Sequence, residues 1–187
     1  MEIKTTRLLL REFVPDDWEN VFIYRNDPRY RRFYPGDAES EAEARVFVEW
    51  MIEQQKSVPR KTYQLAITLP ERAGIIGNAG IRLRGQGGHE TAVSQADIGY
   101  ELDPRYWGQG YATEAAGAVL DFGFETLGVH RIWSQCISEN RASAHVLEKL
   151  GMRREGRLHE HEFFKERYWD TLIYAILVDG WRSNQVK

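Results

Sequence analysis

Residues 98–114 read IGYELDPRYWGQGYATE, and the interpretation of this stretch decides the fold. Ile98, Tyr100 and Leu102 alternate with Gly99 and Glu101, which is the two-residue period of a strand. Arg105, Gly108 and Gly110 then form a turn, and helical spacing begins at Tyr111. A strand that passes through glycines straight into a helix lets backbone N–H groups converge. The helix start adds its own free donors and the positive end of its dipole. Such a junction suits a pyrophosphate or a plain helix-capping turn, and spacing alone leaves both open. The lack of a following Gly-Lys-Ser/Thr excludes a nucleoside-triphosphate loop, and a dinucleotide fingerprint lacks its third glycine.

On the N-terminal side, alternation through Leu8, Leu9 and Leu10 predicts a strand ending near Phe13. Pro15, Asp16 and Asp17 open a helix carrying Trp18, Val21, Phe22 and Arg25, which Asn26, Asp27 and Pro28 end. Ser40 with Glu43 is a capping box for a second helix that runs to Gln55. Tyr63, Leu65, Ile67 and Leu69 alternate as a half-buried strand that returns as a hairpin over 75–83. Residues 84–94 are glycine-rich and polar and read as a loop. On the C-terminal side the pattern predicts a helix over 111–127, a strand over 132–137 and a helix over 141–150. Asn140 starts this last helix and Gly151 stops it. Two strands over 156–163 and 169–178 follow, joined around Lys165, Glu166 and Arg167. The order describes one mixed α/β (α+β) domain over residues 1–187, built around a single sheet.

Composition narrows the function classes. The 187 residues are 42% hydrophobic and 28% charged with a net charge of −3, a globular balance that gives no general attraction to nucleic acid or anionic membrane. No apolar run approaches the ~20 residues of a membrane span, and the polar start does not read as a signal peptide. The single cysteine, Cys136, allows no internal disulfide; it reads as a buried thiol in a reducing compartment, so a cytoplasmic location is expected. His159 and His161 share a strand face without a third ligand at useful spacing, so no metal site is expected.

Four signatures in order carry a resemblance to the GNAT-fold acetyltransferases, in particular to those that modify amino termini, including ribosomal-protein acetyltransferases. These are Thr6-Arg7-Leu8-Leu9-Leu10-Arg11; Arg105-x-x-Gly108-x-Gly110; Glu139-Asn140-x-x-Ser143 with Leu147-Glu148-Lys149-Leu150-Gly151-Met152; and Tyr168-Trp169-Asp170 through Ile176. The resemblance implies a mostly antiparallel mixed sheet with a splayed parallel strand pair, flanked by helices, and acetyl-coenzyme A as cosubstrate. Gly108, Gln109, Gly110, Tyr111 and Ala112 are then the pyrophosphate-binding amides, with Arg105 opening the loop. The backbone near Leu102 and the Asn140 side chain hold the pantetheine arm, and Ser143 lies near the sulfur.

The chemistry asks for a deprotonated amine, donors for the carbonyl oxygen and a proton for the departing thiolate. An α-amine near pKa ~8 reaches the neutral form more readily than a lysine near ~10.4. The tyrosine acid many such enzymes carry seven residues beyond the motif asparagine is replaced by Leu147. The glutamate that some place five residues before it is Gln135. The resemblance points instead to Ser143 as acid and Glu162 as base, with Glu101 as a second candidate base. Arg29, Arg31 and Arg32 with Phe33 and Tyr34 form a basic-aromatic segment that borders the acceptor in this fold.

The expected activity is acetyl transfer to a protein or peptide amino terminus. Two alternatives are a small amine, such as a polyamine, aminoglycoside or amino-acid derivative, and a binding-only acyl-coenzyme A sensor. A peptide enzyme leaves an open groove between the first helices and the last hairpin; a small-amine enzyme closes it or lines it with acids. Charge pattern does not choose between monomer and homodimer.

Overall fold

The computed structural model describes residues 1–85 and 95–185. The anticipated 84–94 loop, apart from Arg84 and Gly85, lies outside the described residues. Among the described residues there are eight strands: β1 (Glu2–Lys4), β2 (Leu9–Arg11), β3 (Thr62–Thr68), β4 (Ile75–Arg84), β5 (Gln95–Leu102), β6 (Arg131–Ile137), β7 (Arg153–Phe164) and β8 (Arg167–Leu177). They form one sheet in the order β1-β2-β3-β4-β5-β6-β8-β7. The helices are α1 (Trp18–Arg25), α2 (Pro28–Arg31), α3 (Glu41–Gln55), α4 (Tyr111–Asp121), α5 (Arg141–Lys149) and α6 (Val178–Gln185).

Strand alternation sorts the apolar residues into two cores, one on each face of the sheet. Leu65 and Ile67 of β3 pack with Ala115, Val119 and Leu120 of α4 and Leu147 of α5. Ala66 between them belongs to the other core, with Val21 and Tyr24 of α1, Tyr30 of α2, and Val48 and Met51 of α3. Each fully buried Leu or Ile stabilises the fold by about 1.5–3 kcal/mol, so both helical layers are firmly held.

Every neighbouring pair is antiparallel except β5 with β6. That parallel pair spans only Gln95↔Arg131, Ala96↔Ile132 and Asp97↔Trp133. Beyond it β5 stays paired with β4 as far as Leu102, while β6 stays paired with β8. The two strands therefore diverge, and the Ser134 hydroxyl closes the fork by donating to the Ile98 carbonyl at 2.9 Å. This splay is the one the resemblance implied.

The structure departs from the sequence pattern at four places. β1 is too short to show alternation, yet it pairs with β2. Residues after Pro28 form the extra helix α2, because the Asp27 carboxylate accepts from the Arg29 N–H at 2.9 Å and caps it. The 111–127 helix is α-helical only to Asp121, and a widened π turn continues over Phe122–Thr126. Within it a Cβ at Gly123 would lie 2.6 Å from Ile81, so the wide turn seats bare backbone on the sheet. The last strand ends at Leu177 and α6 folds back instead, with Trp181 stacked on Phe124 at 5.2 Å and bonded to Asp121 at 2.8 Å.

Candidate active site

The strand splay divides the site into two clefts that meet at Phe33, Tyr34, Tyr100, Glu101, Asn140 and Ser143. The first, of about 480 Å³, lies between α4 and α5 and is lined by Leu102, Trp107, Gly108, Gly110, Tyr111 and Ala112. Gly110 has φ +82° and serves as the N-cap of α4, a left-handed conformation that favours glycine. Gly108 has φ +76° and open space where a Cβ would stand. Bare backbone therefore faces the cleft beside the first turn of α4, whose N–H groups have no intrahelical acceptor. Donors of this kind, with no side chain in the way, fit a pyrophosphate.

A strap from the turn between the first two strands holds this loop. The Arg7 guanidinium donates to the Gln109 carbonyl at 2.9 Å and pairs with Glu114 of α4 at 2.7 Å. Glu114 also accepts from the Thr5 hydroxyl at 2.6 Å and the Arg7 N–H at 2.8 Å. Burial alone would raise its pKa, but these donors outweigh burial and hold the carboxyl below its usual range. Arg7 and Glu114 were not among the expected site residues; 107 residues separate them, and no local pattern announces such a pair.

Two expected loop residues have partners of their own. Arg105 and Gln109 are not among the residues lining the cleft. The Arg105 guanidinium is held by Asp103 at 2.8 Å, and the Gln109 carbonyl belongs to Arg7. The Leu102 carbonyl already accepts from the Trp107 indole at 2.7 Å, so Trp107 braces the strand end as well as lining the cleft. Asn140 Oδ1 accepts from the Ser143 N–H at 3.1 Å as the N-cap of α5.

The second cleft, of about 580 Å³, opens on the opposite side of the splay. Its walls include Phe33, Tyr34, Phe47, Trp133 and Phe164, with Cys136, Ser143 and Glu162 at the surface. Glu162 follows a register shift in β7 between Leu158 and Glu162, where Glu160 takes φ +49° and donates its N–H to Asp170 at 2.8 Å. That bulge resets which residues of β7 face the cleft. The Lys165-Glu166 turn then joins β7 to β8, with φ +52° and +60° at the two residues. Lys165 donates to the Arg31 carbonyl, and Phe33 packs edge-on against Trp169 at 6.0 Å. The last hairpin therefore touches the basic-aromatic segment after α2.

The two candidate bases sit in different surroundings. Glu101 accepts from Arg25 at 2.9 Å, from the Tyr24 hydroxyl at 3.1 Å and from the Asn78 amide at 3.0 Å. A carboxylate gripped by this many donors is held in place. Glu162 is nearly half exposed, and the ion-pair partner it has among the described residues is His161 at 3.5 Å. Asp97, also in the second cleft, is held by Arg82 and Arg84.

At the junction the Ser143 hydroxyl lies 3.0 Å from the Tyr100 hydroxyl, and the Tyr100 hydroxyl donates to the Ser143 carbonyl at 3.0 Å. Burial pushes Cys136 up to about 11, so the thiol stays neutral at ordinary pH. Leu147 is fully buried in the core, which leaves no acid at that position. Among the described residues no group of three or more His, Cys, Asp or Glu side chains is placed to hold a metal ion. His159 pairs with Asp170 at 3.3 Å, while His161 faces the Thr171 hydroxyl at 3.2 Å. Among the described residues, no helix is long and apolar enough to cross a membrane.

A glycine cradle at a helix start, opening beside a splayed parallel pair, defines a protein that binds an acyl thioester of coenzyme A on one side and its acceptor on the other. Residues 7–153 match the acetyltransferase (GNAT) domain family, and the chain belongs to that family of acetyl-coenzyme A-dependent N-acetyltransferases. It is 34% identical to the uncharacterized N-acetyltransferase YnaD of Bacillus subtilis, over 97% of this chain and 99% of that one. Its fold is similar to a GNAT-family acetyltransferase from Bacillus anthracis, with TM-score 0.77 and 34% identity over 96% of this chain and 99% of the other. It also resembles the ribosomal L7/L12 α-N-protein acetyltransferase RimL in complex with coenzyme A, with TM-score 0.80 at 20% identity over 96% and 99% of the two chains.

Proposed function

We propose that the enzyme acetylates a primary α-amine at a peptide or protein amino terminus. The observation that carries this reading is the second cleft: aromatic side chains stand among its polar ones, and Glu162 is its one carboxylate among the described lining residues not held by an arginine. A polyamine needs carboxylates spaced along its length, whereas a chain end presents one ammonium beside an apolar body. The contact of Lys165 with the Arg31 carbonyl favours a second reading, a small amino-acid-like amine, because it joins the two sides of the groove.

Acetyl-coenzyme A, when bound, supplies the acetyl group in activated form. Gly108, Gly110, Tyr111 and Ala112 hold its pyrophosphate through backbone N–H groups, and Asn140 steadies the pantetheine arm. Glu162 takes the proton from the amine nitrogen, directly or through water, and Ser143 presents its proton to the departing sulfur. Glu101 holds Arg25 and the wall of the junction.

The test is acetyl-coenzyme A-dependent thiol release against peptides with varied amino termini, together with polyamines, aminoglycosides and free amino-acid amides. Turnover with peptides alone supports the reading. Turnover with amino-acid amides alone moves the acceptor to the small-amine class, and turnover with polyamines contradicts the charge argument.

A further inference from the structure

Beside the first cleft lies a separate hollow of about 490 Å³, which shares Arg32, Glu139 and Arg141 with it. Three parts of the fold supply its arginines: Arg32 from the segment after α2, Arg141 from the start of α5, and Arg154 with Arg157 from β7. Strict alternation would send Arg154 and Arg157 to opposite faces of β7. A register shift between Arg154 and Gly156 prevents this. Arg154 stands opposite Tyr174 and Arg157 opposite Leu172, and these two partners share one face of β8. Both belong to the core that holds Leu147, so the two arginines lie on the α5 side of the sheet.

Most of this charge is uncompensated. Arg157 is held by Asp170 at 2.6 Å. Glu139, the one carboxylate lining the hollow, is engaged by the Ser138 hydroxyl at 2.8 Å and by Arg167 at 3.5 Å. Among the described residues the guanidinium groups of Arg32, Arg141 and Arg154 have no ion pair or hydrogen bond, and Arg32 lies over the Phe33 ring at 5.1 Å. Arg29 and Arg31 of the same segment are taken up, by Asp27 and by the Gly36 carbonyl, each at 2.6 Å. Three unpaired cations around one hollow repel one another, and an anionic guest relieves that repulsion. Their planar groups grip carboxylates through paired hydrogen bonds.

The position of the hollow identifies the guest. In the proposed function the coenzyme phosphates lie on the α4 cradle. Glu139 and Arg141 instead flank Asn140, beside the junction where the acyl group meets the amine. We propose that the hollow receives acidic side chains of the acceptor, so that the enzyme prefers amino termini followed closely by Asp or Glu. The inference rests on the reading of the acceptor as a peptide or protein amino terminus. Arg32, Arg141 and Arg154 are its specificity-determining residues, and they act on binding rather than on the chemical step.

The experiment compares peptides that share their first two residues and continue with a run of Glu, Gln or Lys. Partly exposed ion pairs are individually weak, so the three together should favour the Glu peptide over the Gln peptide by about tenfold in kcat/KM. The gain lies in KM, and it shrinks as ionic strength rises. Arg154→Gln lowers the preference about twofold and leaves turnover of the Gln peptide unchanged. Arg141→Gln with Arg154→Gln lowers it further. Arg153→Gln, one residue earlier and on the other face of β7, keeps it. Equal turnover of the Glu and Gln peptides overturns the inference and leaves the amino-terminal reading standing. Turnover of none of the peptides removes both. An Arg153→Gln loss equal to that of Arg154→Gln reduces the preference to general charge and overturns the pocket. Weaker coenzyme A binding by calorimetry in Arg154→Gln, with the peptide preference intact, gives the hollow to the coenzyme and also overturns it.

Discussion

The two clefts are made of different material. In the cleft proposed for the coenzyme the groups on offer are backbone: Gly108 and Gly110 with positive φ, and the first turn of α4. On the acceptor side they are side chains: aromatic walls, paired charges, and Glu162 placed by a bulge. Under the proposed function, a backbone cradle suits what every acyl-coenzyme A shares, and a side-chain cleft suits the selection of one amine among many. The contrast extends to the two glutamates, since Glu101 is held by Arg25, Tyr24 and Asn78 while Glu162 is nearly half exposed.

The largest expected effect tests that last contrast. Glu162→Gln should lower kcat by about two orders of magnitude at saturating amine while leaving the KM for acetyl-coenzyme A in place. Unchanged turnover from pH 6 to 9 would end its assignment as base. Glu101→Gln should do the reverse, destabilising the fold by about 2 kcal/mol in urea unfolding because Arg25 loses one of its two carboxylate partners and keeps Glu39 at 3.2 Å, with kcat changed much less. A stable but inactive Glu101→Gln protein would exchange the two roles.

Gly110→Ala probes the coenzyme side alone. A side chain at φ +82°, only 3.3 Å from the Arg7 guanidinium, should weaken coenzyme A binding about tenfold by calorimetry and leave the acceptor KM untouched. Arg7→Ala, which removes the strap rather than the cradle, should weaken it about threefold, near the upper end for a partly exposed ion pair. The smallest effect is one of pH. Because the folded-state pKa of Glu114 is depressed, its contribution is complete above the ordinary glutamate value and is lost as pH falls through the lower, folded one. Coenzyme A affinity measured on acidification should therefore hold through the usual glutamate range. Loss at higher pH would show that the strap does not govern the loop.

Much of the coenzyme side was legible before the structure, because its signals are local. Strand alternation through Leu102, glycines at positions 108 and 110, and Asn140 before a helical pattern each fall within a few residues. The same local pattern does not reveal that Asp103 holds the Arg105 guanidinium or that Arg7 donates to the Gln109 carbonyl. The helix over 111–127 was correct in place but not in kind, since the π turn depends on how closely Gly123 meets Ile81 and Ile132. Residues 178–185 carried no mark that separates a strand end from α6.

What the chain determined by itself is the order of the main elements, without β1, α2 and α6, together with the family and the glycine turn before α4, because turn, cap and period are set by neighbours along the chain. What the tertiary structure decided is which side chains meet. Tyr100 joins Ser143 across 43 residues, Arg25 joins Glu101 across 76, and Arg7 joins Glu114 across 107. Each of these contacts joins residues from different elements that only packing on the common sheet brings within hydrogen-bond distance.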